Sequence, residues 1–383
     1  MSVNVVPIVV YSGMMGVTIF ALLDATFKPR QRQTTFLIGL LVLLLIHILG
    51  ELYIYTGAYQ YMPALAGVQL PIRVLLGPAL YFYACATMSA NGTQSKRAYL
   101  TALLGPLLVT FSMVPFAFGL SSEEKLALAD PLTRDPENFK LALAACTISM
   151  LVFIVFTGIY LFAALKLHRR HRAQLMDRFA TIERRSLDWF RVVLILWGCI
   201  WLMYAIEYIT AFMNWRWIGS GVVLPILEAS VLVAFTYLAL NQTVLNESDK
   251  VPSKTSNNRV AALSIEKMEL IADKLNKVMA EKKLFMEEEL SLNRLSVALS
   301  VSENHISETL SQYLKTNFFH FVNGFRIEEA KKLLQSTDRL VSTIAFEVGF
   351  NSKSTFNTAF KKSSGLTPTA FRKQLQMAKA EKG

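Results

Sequence analysis

Seven stretches of the chain stay apolar for long enough to cross, as helices, a hydrocarbon core of about 30 Å, a distance that takes roughly 20 residues. They lie near residues 5–27, 35–57, 66–88, 98–120, 141–165, 187–213 and 221–241. Beyond about residue 245 the pattern changes to short amphipathic segments rich in Lys and Glu, so the two parts of the chain face different solvents. The spacing predicts an all-α protein: a seven-helix transmembrane bundle over residues 1–245, a linker over 246–262 and a soluble helical domain over 263–383.

Charges between the apolar runs orient the bundle, because Lys and Arg are retained on the cytoplasmic side. The connections after runs one, three and five carry Lys28, Arg30 and Arg32, then Lys96 and Arg97, then Lys166, Arg169, Arg170, Arg172, Arg178, Arg184 and Arg185. The N-terminal tail and GAYQYMPAL have no basic residue, SSEEKLALADPLTRDPEN is net acidic, and NWRWIG has one Arg between two Trp. An N-terminus outside and seven spans then deliver residue 242 onward to the cytoplasm. The first run reads as a retained span rather than a signal peptide, since no basic residue precedes it and KPRQR follows it. Trp215 and Trp217 at the outer edge and Trp189 at the inner edge read as interface anchors.

Composition agrees with this division: 53% hydrophobic residues and a mean hydropathy of +0.38 lie above what soluble domains carry, and 17% charged residues lie below it. Cys85, Cys146 and Cys199 all fall in apolar runs, too far apart for a metal or redox motif. The net charge of +11 fits both membrane flanks and a nucleic-acid partner, so its placement decides its meaning.

Ionisable residues within spans are costly and are functional candidates for that reason. Five stand out, His47, Glu51, Arg73, Glu207 and Glu228, at depths that allow them to converge. They read either as a polar pocket open to the outside that binds a signal ligand, or as buried ion pairs of Arg73 with the carboxylates that lock the helices together. Chemistry finds little support. IGSGV carries Ile218 where the first Gly of a GxSG motif belongs, no HExxH occurs among five His, and no nucleotide loop is present. The chain therefore reads as no enzyme, with no metal and no cofactor.

Residues 246–259, NESDKVPSKTSNNR, are polar, aperiodic and interrupted by Pro252, which predicts a flexible tether. Coupling through such a tether is loose and favours changes of proximity or oligomeric state over a rigid lever. Ile265 to Leu284 reads as an amphipathic helix. In SLNRLSVALSVSENHISETLSQYL, Leu292, Leu295, Ala298 and Leu299 share one face and Ile306 and Leu310 another, with Ser302 as an N-cap between them. Two short helices joined by a tight turn are what a helix-turn-helix requires.

A second such pair follows. Leu340, Val341, Ile344, Ala345 and Val348 form its first helix, Gly349 its turn, and Asn351 or Ser352 the cap of the next. There Phe356, Ala359 and Phe360 face inward, leaving Lys353, Thr355, Asn357 and Thr358 for bases or phosphates. Lys361 and Lys362 end that helix, and Thr367 and Pro368 open a last one bearing Phe371, Arg372 and Lys373.

The stretch RIEEAKKLLQSTDRLVSTIAFEVGFNSKSTFNTAFKKSSGLTPTAFRKQ resembles the C-terminal signature of the AraC/XylS family of bacterial transcription regulators. The likeness covers about the last 100 residues. In its architecture the seven-span half resembles the membrane-anchored regulators that carry such a domain. The resemblance implies an all-helical domain with two helix-turn-helix units, bridged by a long helix and bound to promoter DNA. A bridge from Asn317 to Gln335 would be roughly 28 Å long, close to the roughly 34 Å between successive major grooves on one DNA face. By the family's pattern, DNA contacts fall on Lys353, Thr355, Asn357 and Thr358 in the second unit. In the first unit they fall on Asn304, His305 and Gln312, beside Glu303 and Glu308. Those two acids would repel phosphate unless one accepts from a cytosine amine. Arg326 sits where packing, not DNA, is expected to use it.

The reading that follows is a regulator in the bacterial inner membrane. Its partners would be double-stranded promoter DNA, the lipid bilayer, a signal ligand, RNA polymerase and a second copy of the chain. The alternative is a transporter or channel with a regulatory cytoplasmic DNA-binding domain, although no inverted repeat marks the spans.

Overall fold

A computed structural model describes residues 5–29, 31–88, 95–128, 132–183, 185–212, 221–241 and 263–380. The linker, Trp215, Trp217, Arg30 and Arg184 lie outside the described residues. All regular elements among the described residues are helices. They fall into two compact units, Met1–Arg169 with Leu187–Ser253, and Arg170–Ser186 with Lys254–Gly383.

The first unit holds α1 (Val5–Phe27), α2 (Arg32–Tyr55), α3 (Gln69–Val74), α4 (Leu76–Met88), α5 (Lys96–Gly119) and α6 (Ser122–Ala127). It also holds most of α7 (Pro136–Met176), then α8 (Asp188–Phe212) and α9 (Val223–Leu240). Among the described residues, seven segments are long and apolar enough to cross a membrane, and each overlaps one of the runs read from sequence. The third is broken. Pro78 has no N–H for the Val74 carbonyl and its ring crowds that oxygen, so the helix divides at Leu75. The fifth is longer than its apolar run, continuing as one helix through the basic stretch to Met176.

Packing in this unit is inverted relative to a water-soluble bundle. Leu40, Leu41, Ile48, Tyr83, Phe190 and Leu194 form the shared core, yet large apolar side chains also cover the outside, with Phe111 80% and Phe162 70% exposed. Thr18, Thr87 and Ser149 are buried, each donating its hydroxyl to the carbonyl four residues earlier. Apolar surface outside with polar groups satisfied inside is what a lipid solvent selects. Helices approach closely at small residues: a Cβ on Gly105 would lie 2.8 Å from the Phe156 ring and from Val74. Trp189, expected at the membrane edge, packs against Phe190 and Phe235.

The second unit is built on α10 (Ile265–Lys282), α11 (Leu292–Leu299), α12 (Glu303–Glu308), α13 (Phe318–Ser336), α14 (Val341–Glu347), α15 (Lys353–Ser364) and α16 (Pro368–Ala380). Helix α13 joins two cores. Its first half gives Phe318 and Val322 to a cluster with Leu275, Met279, Leu295, Ile306 and Leu310. Its second half gives Ile327, Ala330 and Leu334 to one with Ile344, Val348, Phe356 and Phe360. Caps fix the ends. The side chains of Ser291, Ser302, Asn317 and Ser352 each accept from the backbone N–H three residues on.

Candidate DNA-binding surface and a buried polar cluster

In each helix-turn-helix the cap, not the core alone, aims the second helix. Ser302 starts α12 and Ser352 starts α15, with Ile306 and Phe356 anchoring them from beneath. Gly349 makes the second turn at φ +96°, where a side chain is strained. Any Cβ there would also stand 2.8 Å from the carbonyl oxygens of Phe285 and Met286. The turn of the second unit therefore rests directly on the loop that precedes the first.

On α15 the outward residues divide by exposure. Lys353, Thr358, Lys361 and Lys362 are exposed, whereas Thr355 and Asn357 are half-buried. The Thr358 hydroxyl donates to the Ser354 carbonyl. Lys373 on α16 is exposed, but Arg372 is half-buried and donates to the Arg339 carbonyl at 2.7 Å. Its guanidinium is partly committed within the domain. Nearby, burial and the Lys362 ammonium hold the His320 imidazole below its ordinary pKa.

On α12, Asn304 is exposed and His305 half-buried, while Gln312 is exposed on a π-helical turn, Thr309–Tyr313, that follows the helix. The acids beside them are engaged internally. Glu303 accepts from Asn293 Nδ2 at 2.8 Å, and Glu308 from the Leu263 N–H at 3.3 Å. Part of their repulsion toward phosphate is thereby offset within the domain.

Arg326 is fully buried on α13 and is structural, as its place in the sequence suggests. It donates to the carbonyls of Phe285 at 2.7 Å and Glu287 at 2.8 Å and to Asn323 Oδ1 at 3.3 Å, beside the Phe350 ring. Burial lowers its pKa to about 10, against the opposing pull of Glu183, Glu288 and Glu289. One guanidinium thus ties the loop, the bridging helix and the second core.

In the first unit, four of the five ionisable residues singled out from sequence meet. His47 lies 3.9 Å from Glu51 and 3.6 Å from Glu228, and Arg73 lies 3.4 Å from Glu51. Arg73 sits in the last turn of α3, next to the break at Leu75, where a helix end favours a cation. Its guanidinium lies 3.8 Å from the Tyr204 ring and 4.8 Å from the Phe153 ring. Tyr11 and Tyr204 both donate to Glu228, at 2.8 and 2.6 Å. These two tyrosines escaped sequence reasoning, which weighed only charge, although a phenol inside a span equally needs a partner. Glu207, one turn beyond Tyr204, instead accepts from the Gly221 N–H at 3.2 Å.

Beside the cluster is a cavity of about 50 Å³, walled by Phe153, Trp197, Trp201 and Phe235, with His47, Arg73 and Glu228 at its polar part. Buried His47 Nδ1 and Arg73 Nη2 have no hydrogen-bond partner there. The space exceeds the roughly 15 Å³ that one water requires.

Residues 295–374 match a family model described as a helix-turn-helix domain. They are a helix-turn-helix domain of the AraC type, the resemblance on which the sequence reading rested. An HTH-type transcriptional regulator of Staphylococcus aureus is 39% identical over 100 residues, which cover 26% of this chain and 13% of that protein. The regulator YisR of Bacillus subtilis is 33% identical over 86 residues, or 22% of this chain and 30% of its own. Among solved structures, the C-terminal domain of AraT, a response regulator from Geobacillus stearothermophilus, is similar. Its match is 30% identical with a TM-score of 0.25, over 27% of this chain and 84% of that one. The chain spans only 13% and 30% of the length of these two curated relatives.

Proposed function

We propose that the protein is a membrane-bound bacterial transcription regulator that reads promoter DNA with α12 and α15 and responds to a signal through its apolar helices. The observation that carries this reading is the pair of capped recognition helices on one bridging helix, within the matched helix-turn-helix region. Nineteen residues of α13 span roughly 28 Å, a separation suited to two successive major grooves. The seven apolar helices with apolar outer faces support a membrane location, and the basic connections support a cytoplasmic DNA-binding end.

The test is equilibrium binding of the full-length protein, in lipid nanodiscs, to its own upstream DNA at a series of salt concentrations. Lys353→Ala and Asn357→Ala are each expected to weaken specific binding by about 1–3 kcal/mol. Lys361→Ala and Lys362→Ala should weaken binding to all sequences alike and reduce the salt slope by about one each. Binding that ignores salt, or that survives all four substitutions, contradicts the reading.

The cluster around His47, Glu51, Arg73 and Glu228 is the proposed signal site, supported by two buried nitrogens, Arg73 Nη2 and His47 Nδ1, that make no hydrogen bond beside a cavity. Arg73→Ala is expected to change signal-dependent reporter transcription while protein abundance stays at the wild-type level. A fall in abundance alone would identify the cluster as a structural ion-pair lock.

A further inference from the structure

Residues Arg170–Ser186, which connect the fifth and sixth apolar helices in sequence, belong to the DNA-binding unit. Phe179 forms an antiparallel bridge with Ser291, flanked by hydrogen bonds from the Ala180 N–H to Leu290 (3.1 Å) and from the Leu292 N–H to Arg178 (2.8 Å). The Thr181 hydroxyl donates to the Glu288 carbonyl at 3.0 Å, and Asn323 Nδ2 donates to the Ala180 carbonyl at 3.3 Å. Arg185 pairs with Glu289 at 2.8 Å. Ala180, 1% exposed, is part of the first helix-turn-helix core. These partners lie in the loop leading into α11, at its first residue Leu292 or on α13, and Arg326 and Gly349 bear on the same loop.

We infer that this segment is a clasp through which the apolar helices control the DNA-binding unit. The inference rests on the reading above, that the protein is a membrane-bound DNA-binding regulator. Helix α7 is continuous from its apolar run to Met176, and only Asp177 separates it from the first clasped residue, Arg178. A displacement of α7 therefore reaches the loop before α11 through an unbroken helix and a single hydrogen-bonded β-bridge. This route is separate from the linker over 246–262, which lies outside the described residues. Clasp closed, the loop at 286–292 is fixed and both recognition helices share one frame; clasp open, that frame loses its edge.

The experiment uses the full-length protein in nanodiscs and its upstream DNA. Thr181→Val with Arg185→Glu opens the clasp from its side chains and is expected to weaken DNA binding by about fivefold or more, the scale of coupling between linked sites. Ten Gly/Ser residues inserted after Ser253 should change affinity by less than about twofold, as the polar, Pro-interrupted sequence there predicts for a loose connection. Because the double variant also risks misfolding, Phe179→Cys with Ser291→Cys is made in a form lacking Cys85, Cys146 and Cys199. Non-hydrogen-bonded antiparallel pairs bring Cα atoms to about 4.5 Å, within disulfide range. Oxidation should close this pair and give an affinity no weaker than that of the same variant reduced, a comparison that sets aside the lost Ser291 cap. No crosslink, or DNA binding unaltered by the clasp variant but altered by the linker insertion, overturns the clasp. Failure of the wild type to bind DNA instead overturns the reading it rests on.

Discussion

Replacing Arg326 with Ala is expected to destabilise the C-terminal unit by about 3 kcal/mol or more. The loss strands the Phe285 and Glu287 carbonyls and Asn323 Oδ1, each unmet buried group costing about 1–3 kcal/mol, and it empties a fully buried site. Arg326→Lys should recover only part of the loss, because an ammonium lacks the planar fork that reaches three acceptors. Burial places the folded pKa near 10, below its unfolded value. Holding the charge therefore opposes folding throughout the neutral range, and that cost is relieved only as pH rises beyond 10. The hydrogen bonds outweigh it. The check is a urea titration of the full-length protein, read as protease susceptibility of the C-terminal unit; an unmoved midpoint for Arg326→Ala would show the network to be dispensable.

The second large effect is expected at Gly349. An Ala there adds a left-handed strain of about 1–3 kcal/mol to a Cβ 2.8 Å from two backbone carbonyl oxygens that cannot swing aside. Overpacking of that kind adds about 1–3 kcal/mol more. Gly349→Ala should therefore cost about 3 kcal/mol and displace α15 from the loop at Phe285 and Met286, abolishing sequence discrimination. Gly365→Ala provides the contrast. It too has a positive φ, of +77°, but nothing stands within 4 Å of its Cβ, so only the strain remains. Equal losses at the two glycines would mean that the contact with the loop contributes nothing.

Much of this was legible because it follows from period and solvent. Apolar runs of 20 residues have one physical reading, and Phe356 with Phe360 at helical spacing fixes which face of α15 is left for DNA. The polar cluster was legible in its charges, since His47, Glu51, Arg73 and Glu228 are each costly in a span. Its geometry was not, because the break at Leu75 that positions Arg73 depends on Pro78, and Glu207 found the Gly221 N–H instead. Charge on α12 describes only part of its surroundings. Glu303 and Glu308 have partners at Asn293 and Leu263 that no local pattern reveals.

The clasp was missed for a similar reason. The arginines of residues 170–186 speak to membrane topology, whereas the bridge to Ser291 rests on Phe179 and on Ala180, Thr181 and Ile182, which are all buried in succession and so show no strand-like alternation. So short a segment gives no periodic signal, and its partner lies more than a hundred positions away. Long-range pairing of this kind is invisible to periodicity.

The most direct test of the account maps the chromosomal sites occupied by the full-length protein in living cells, beside a Lys353→Ala, Asn357→Ala double variant. The account predicts a small set of discrete sites sharing a motif of two short elements about one helical turn, roughly 10 bp, apart, with occupancy lost in the double variant at equal protein abundance. No enriched sites, or sites whose occupancy the double variant retains, would contradict it.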